Sequence, residues 1–181
     1  MIKLTLDSSC FSRQDIHLER LYELYDRGIV ELSIAPNTMD ELALILSNKD
    51  PEASRERVRK AKEKYRDIIR KCIEKCRVLP YYWHWPADEF EGIMKRAFPL
   101  HTSTNWSGGL LDENAQESFG RRNTDLEIFS SHVMAENDIF VTNDEKGFLA
   151  RQEDYEREFG TKVRKLDENL IAELTSSVTA A

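Results

Sequence analysis

Cysteine is scarce in this chain: Cys10, Cys72 and Cys76 are the only three among 181 residues. They make neither an even set nor a CxxC pair, which excludes a disulfide scaffold or a zinc ribbon and leaves three reduced thiols for packing. Glycine and proline, at 7 and 5, never cluster into a linker, and no internal repeat appears. Long apolar runs are missing too. Nothing approaches the roughly 20 residues that cross a bilayer, and the opening MIKLTLDSS has neither the basic nor the long apolar part of a secretory leader. The expectation is therefore no membrane and a cytoplasmic location. What the chain does have is a 40% apolar content with Leu, Ile and Val spread throughout, enough for one buried core. One domain over 1–174 is expected, with an insertion at about 51–120 and a frayed tail at 175–181.

An excess of positive charge is also lacking, and a net charge of −7 argues against a polyanionic partner. The distribution reverses that locally. Between Ser54 and Arg77 stand eleven Lys/Arg against four Asp/Glu, so the rest of the chain carries twice the net negative charge of the whole. Val58, Ala61, Tyr65, Ile68, Cys72 and Cys76 recur there at helical spacing, which predicts one apolar stripe on a long basic helix.

Ile2 to Leu6 predicts a short buried strand ending at Asp7-Ser8-Ser9. Ile16, Leu18, Leu21, Leu24 and Tyr25 predict a helix stopped by Gly28, and Ile29 to Ile34 a second strand. Asn37 or Thr38 can cap a helix after Pro36, and Pro51 opens the basic one. From Leu79 to Gly120 the pattern is irregular: YYWHWP, a helix over 87–98, and the polar HTSTNWSGG. Helix 124–136, strand 138–142, a short helix within 147–159 and strand 162–166 complete the order. Strands joined through helices predict an α/β fold with a mainly parallel central sheet, helices on both faces and a helical insertion in the middle. Such sheets carry their sites beyond the carboxyl ends of the strands.

That rule selects acids. Asp7 directly follows the first strand and Asp144 stands two positions after the strand at 138–142, while Glu41 and Asp125 are expected in the first turns of helices starting near the same rim. Four converging carboxylates repel, at roughly 4 kcal/mol for a pair about 4 Å apart with an effective dielectric near 20. A hard divalent ion, Mg²⁺ or Mn²⁺, removes the penalty, and such metals assist phosphoryl chemistry.

The motifs resemble those of the PIN-domain nucleases, which include the VapC-like toxins of bacterial toxin–antitoxin pairs. LTLDSSCF is similar to the family's first strand and acid, placing Asp7, with the Ser8 or Ser9 hydroxyl beside it. IAPNTMDEL is similar to the second motif and places Glu41, with Asp40 as its rival. NTDLEIFSSHVMAENDIFVTNDEKGF is similar to the third and fourth, placing Asp125 and the Thr142-Asn143-Asp144 turn. Some members carry a further acid where Gly147 stands, and many have a shorter middle. The resemblance covers the first 50 or so residues and those after Arg121. It implies a metal-dependent endoribonuclease in which Asp7, Glu41, Asp125 and Asp144 hold Mg²⁺ or Mn²⁺, with Ser8 and Thr142 bonded behind them. It also implies RNA as partner, an antitoxin protein, and a homodimer.

Arg55, Arg59, Lys62 and Arg66 form one row at helical spacing for phosphate contact, and Arg121 and Arg122 are further candidates. Against each stands a plainer reading: a solvated basic face for the row, turn-forming caps for the acids, lid packing rather than base stacking for YYWHWP. His84 and His101 have no partner at ligand spacing, so structural or surface roles are expected. Two other functions compete. One is a non-catalytic RNA-binding or protein-interaction module with the same fold. The other, a phosphatase of the haloacid dehalogenase type, needs a second Asp where Ser9 stands.

Overall fold

A computed structural model of the chain describes residues 1–11, 16–47, 55–102 and 116–179. The five strands are β1 (Ile2–Leu6), β2 (Val30–Ile34), β3 (Cys76–Val78), β4 (Ile139–Thr142) and β5 (Lys162–Lys165), all parallel in the order β3-β2-β1-β4-β5. Seven helices occupy the described residues: α1 (Ile16–Asp26), α2 (Pro36–Ser47), α3 (Arg55–Lys75), α4 (Ala87–Thr102), α5 (Gln116–Met134), α6 (Gln152–Phe159) and α7 (Glu168–Thr179). This is the α/β fold with a parallel sheet that the sequence predicts. None of the described helices is long and apolar enough to cross a membrane.

The strands are near-continuous apolar runs because both sheet faces are covered. Leu4, Leu6, Leu32, Ile34, Ile139 and Val141 meet α1, α3 and α7 through Leu18, Leu21, Cys72, Ile171 and Leu174. On the other face Phe140 and Val163 meet α4, α5 and α6 through Ala97, Phe129 and Tyr155. The alternation of Ile139, Phe140 and Val141 between the two cores is the period of a strand. Phe129 anchors the second core, edge-on to Phe140 at 5.3 Å and to Tyr155 at 4.8 Å. Gly28 and Gly160, both at φ 69°, turn the chain after α1 and α6, where a side chain would be strained.

Several boundaries differ from the sequence reading. Cys76 opens β3 instead of closing the stripe of α3, and a three-residue edge strand leaves no periodic signal. Helix α4 continues through Pro99 to Thr102. Helix α5 starts at Gln116, so Asp125 lies well inside it and not in its first turn. Helix α7 runs on to Thr179, through residues expected to fray. Pro51 and residues 103–109 of the HTSTNWSGG segment lie outside the described residues.

A polar circuit is sealed under α5. His132 is fully buried, its Nδ1 2.9 Å from Thr5 Oγ1 and its Nε2 2.6 Å from Thr161 Oγ1. Asn137 Nδ2 donates to Thr5 Oγ1 at 2.8 Å, and Thr161 Oγ1 reaches the carbonyls of Asn137 and Asp138. Neutral imidazole with the proton on Nε2 satisfies every member: Thr5 donates to Nδ1, Nε2–H donates to Thr161, and Thr161 donates onward. Burial lowers the His132 pKa to about 3. The unfolded chain takes up this proton near pH 6.5 and the folded chain does not, so stability is full above that value and declines towards pH 3. Urea midpoints of wild type and His132→Asn should diverge at pH 7.5 and converge by pH 4.5. A constant gap would show that His132 does not titrate against folding.

Candidate active site

The order of strands reverses direction between β1 and β4, and there the carboxyl ends of the two strands open a crevice. Asp7 is the first residue beyond β1. Its N–H still donates to Val141 O at 2.9 Å, and its side chain is only 3% exposed. Oδ2 accepts from the hydroxyls of Ser9 and of Thr142, the latter at 2.8 Å. Both hydroxyls accept in turn from the bend after β4: Asn143 N–H donates to Ser9 Oγ at 2.8 Å and Asp144 N–H to Thr142 Oγ1 at 3.0 Å. Asp7 is therefore fixed by the strand beside it. The hydroxyl at Asp7 is that of Ser9, which corrects the assignment to Ser8.

All of that support falls on one oxygen. Asp7 Oδ1 is buried with no hydrogen-bond partner, a costly state for a carboxylate. Burial above all, and then the field of Asp125, push the Asp7 pKa up, against the lowering effect of Ser9, Thr142 and Ser8. A bare buried oxygen in the field of a second acid is a place that a cation would stabilise.

Asp125 is one-third exposed, and His101 Nε2 from the end of α4 stands 3.4 Å from its Oδ2. Asp144 is held by its own turn, Oδ1 accepting from Lys146 N–H at 3.2 Å and Oδ2 from Phe148 N–H at 3.4 Å. Beneath them the buried Tyr155 hydroxyl is kept protonated, its pKa raised by burial first and by Asp125 and Asp144, with Arg151 opposing. A groove of about 680 Å³ opens beside this group, lined by Ser9, His17, Asn143, Asp144 and Lys146 among others. Of the four candidate acids, Asp144 lines it. A larger groove, about 760 Å³, lies at the opposite rim near Met1 and Thr161, away from them.

The fourth acid is placed differently. Glu41 stands half-buried on the second turn of α2, and the acid whose field raises Asp7 is Asp125. Asp40 is exposed. The first turn of α2 is latched to α5 by Asn37 Nδ2, which donates to Glu127 Oε2, and burial raises the Glu127 pKa despite that bond. Among the described residues no three His, Cys, Asp or Glu side chains are gathered closely enough to hold a metal ion. Instead Asp125 is shared between two neighbours, Asp7 and His101. The donors suit a hard cation, which would have to draw them together.

His101 is the neighbour of the acids that local sequence reading misses. The sequence puts it on the surface or in a structural role, yet its side chain is 6% exposed and lies among the acids. The opposite correction applies to YYWHWP. Tyr81 and Trp83 stack on each other at 4.2 Å and are 38% and 59% exposed, so they are not packed under a lid.

The basic helix is partly spoken for. Arg70 pairs with Asp67 and Glu74 on α3 itself, Lys71 with Glu19 and Lys75 with Asp26 on α1. Arg66 is exposed and makes no ion pair among the described residues. The side chains of Arg55, Arg59, Lys62, Arg121 and Arg122 lie outside the described residues.

Neither a family model nor a curated protein matches the sequence. Solved structures do. The chain is similar to a DNA-bound VapBC from Salmonella typhimurium, with TM-score 0.52 and 15% identity over 92% of this chain and 100% of that one. It is also similar to VapBC2 from Rickettsia felis bound to a promoter DNA fragment, with TM-score 0.54 and 13% identity over the same shares. At these identities the likeness is one of fold, and the fold is PIN-like.

Proposed function

We propose that the chain is a metal-dependent endoribonuclease whose centre is Asp7, Asp125 and Asp144, with Glu41 approaching from α2. The observation that carries this reading is the bare, buried Oδ1 of Asp7 at the reversal of strand order, opposed by a second carboxylate. Mg²⁺ or Mn²⁺ bound there would supply a Lewis acid and a water of lowered pKa for attack on a phosphodiester. The chain's own part is positioning. Ser9 and Thr142 fix Oδ2 so that Oδ1 is the free donor, Asp125 adds a partly solvated carboxylate, and Asp144 is oriented by the backbone of its turn. Lys146, exposed beside the groove, is suited to a phosphate of the same strand.

RNA as substrate draws support from the PIN-like fold and from the basic N-terminal half of α3. An antitoxin-like protein partner draws support from the two VapBC assemblies that share the fold. One observation favours the non-catalytic module instead: Asp144 already caps its own turn, as a purely structural acid does.

Labelled single-stranded and hairpin RNAs decide between them. Cleavage should require Mn²⁺ or Mg²⁺ and stop in EDTA; binding without cleavage, in a folded and metal-loaded sample, would favour the module. Charge reversal at Arg55, Arg59, Lys62 and Arg66 should weaken RNA binding and flatten its salt dependence, the slope becoming shallower by about 0.7 for each single-strand phosphate no longer neutralised. Unchanged binding would leave those residues as a solvated face.

A further inference from the structure

YYWHWP has no part in the centre described above, yet the fold gives it a fixed shape. Leu79 is buried and its N–H donates to Ile34 O at 2.8 Å, which ties the segment to the end of β2. A 3₁₀ turn over Tyr82–His84 follows, closed by the His84 N–H on Tyr81 O at 2.9 Å. Pro80 and Pro86 stiffen the chain on either side. On this frame the rings of Tyr81 and Trp83 lie parallel to within 8°, with centroids 4.2 Å apart, and both are exposed. A single apolar side chain in water needs no explanation, but a preformed stack does.

The surroundings favour a nucleic-acid base over an apolar protein surface. The basic stretch from Ser54 to Arg77 runs directly into this segment, and its last member, Arg77, is exposed on the edge strand β3. Arg77 Nη1 is 3.7 Å from Glu31 Oε1, too far for a direct hydrogen bond, so a phosphate can take the guanidinium. Arg77 and the exposed Lys3 line a groove of about 260 Å³ together with Pro80 and Trp85. Trp85 brings an indole N–H that is buried without a hydrogen-bond partner. Glu31 and Glu136 line the groove too, so its cations are few and the aromatic faces must carry most of the affinity.

We infer that Tyr81 and Trp83 form a base-stacking site for unpaired RNA at the β3 edge of the sheet, with Arg77 on the adjoining phosphate. RNA is the ligand class of the reading above, but none of its metal is needed. Every base offers a π-face, so such a site grips a strand without reading its sequence. β3 stands two strands from β1, roughly 10 Å at the usual spacing, so the site is separate from the acids that follow β1 and β4.

The full chain in EDTA is titrated with a short oligo(A) RNA and with an abasic ribose-phosphate strand of equal length. Oligo(A) should quench the tryptophan fluorescence and bind far more tightly than the abasic strand. Trp83→Ala should weaken oligo(A) binding about 5–150-fold, the effect of one lost base stack, and Trp83→Phe should recover most of it. Arg77→Gln should make the salt dependence shallower by about 0.7. Both side chains are exposed, so melting should be unchanged in these variants. Equal affinity for the abasic strand, or Tyr81→Ala and Trp83→Ala binding as wild type, would overturn the site. Metal-dependent cleavage by the same samples would then leave the nuclease reading standing. Variants that keep RNA binding but lose a dimer in sedimentation would reassign the pair to contact between copies of the chain. Stacking that persists where Mn²⁺ gives no cleavage would keep the site and not the nuclease.

Discussion

Asp7→Asn should abolish cleavage and yet make the metal-free protein more stable. Both effects come from Oδ1. In EDTA the folded chain carries a buried carboxylate with one unpaired oxygen and an acid nearby. Because the folded pKa is raised above the ordinary 3.8, the Asp7 contribution to stability is full below that value and is lost as pH rises through the folded pKa. At neutral pH the ionised form therefore works against folding. Asparagine has nearly the same shape, keeps an acceptor for Ser9 and Thr142, and carries no charge. The variant in EDTA should melt at least about 2–4 °C above wild type, the shift that 1 kcal/mol gives in a domain of this size. Saturating Mn²⁺ should raise the wild-type midpoint and leave the variant's unmoved, while cleavage drops by on the order of 10²–10³-fold or more. A variant that melts below wild type in EDTA would show that the two hydroxyl bonds outweigh the charge. Asp7 would then be a structural acid.

How far this centre can be read from the sequence depends on how local each signal is. The strand Ile2–Leu6 and the acid after it are adjacent in the chain, and buried parallel strands are apolar throughout, so Asp7 and Asp144 stand out as acids closing such runs. Thr142 follows from the same pattern. Ser9 and Ser8 cannot be separated by sequence, because only the turn at Ser8–Phe11 decides which hydroxyl returns to Asp7. For Asp125 the sequence finds the right helix but the wrong depth: the polar stretch from Gln116 gives no amphipathic cue to where α5 begins. His101 carries no local signal at all. Its partners are 24 and 43 or more residues away, and they meet only because α4 packs along α5 and delivers its last turn to the rim. The fold is PIN-like, and the last turn of α4 sets a mostly buried histidine beside Asp125.

Gly147→Ala should cost far more activity than stability. Gly147 has no left-handed backbone to protect, since only Gly28, Gly160 and Glu136 have positive φ among the described residues. What it protects is space. The added carbon would lie 2.0 Å from Asp144 Oδ2 and 2.6 Å from His101 Cε1, so both must move. Asp144 can swing only by leaving the Phe148 N–H, and His101 only by shifting against Phe148. Overpacking of this kind costs about 1–3 kcal/mol, which a domain of this size survives. A displacement near 1 Å of a group that acts in the reaction costs on the order of 10²-fold in rate. Gly92 provides the contrast within α4. It lies inside α4 with nothing within 4 Å of an added carbon, so Gly92→Ala should add about 0.4–1 kcal/mol of stability and leave cleavage as it is. Equal activity in both variants would mean that the approach of His101 to Asp144 across Gly147 has no part in the reaction. A drop confined to Gly147→Ala, in a protein that still unfolds cooperatively, would place the turn after β4 and the end of α4 in one working centre.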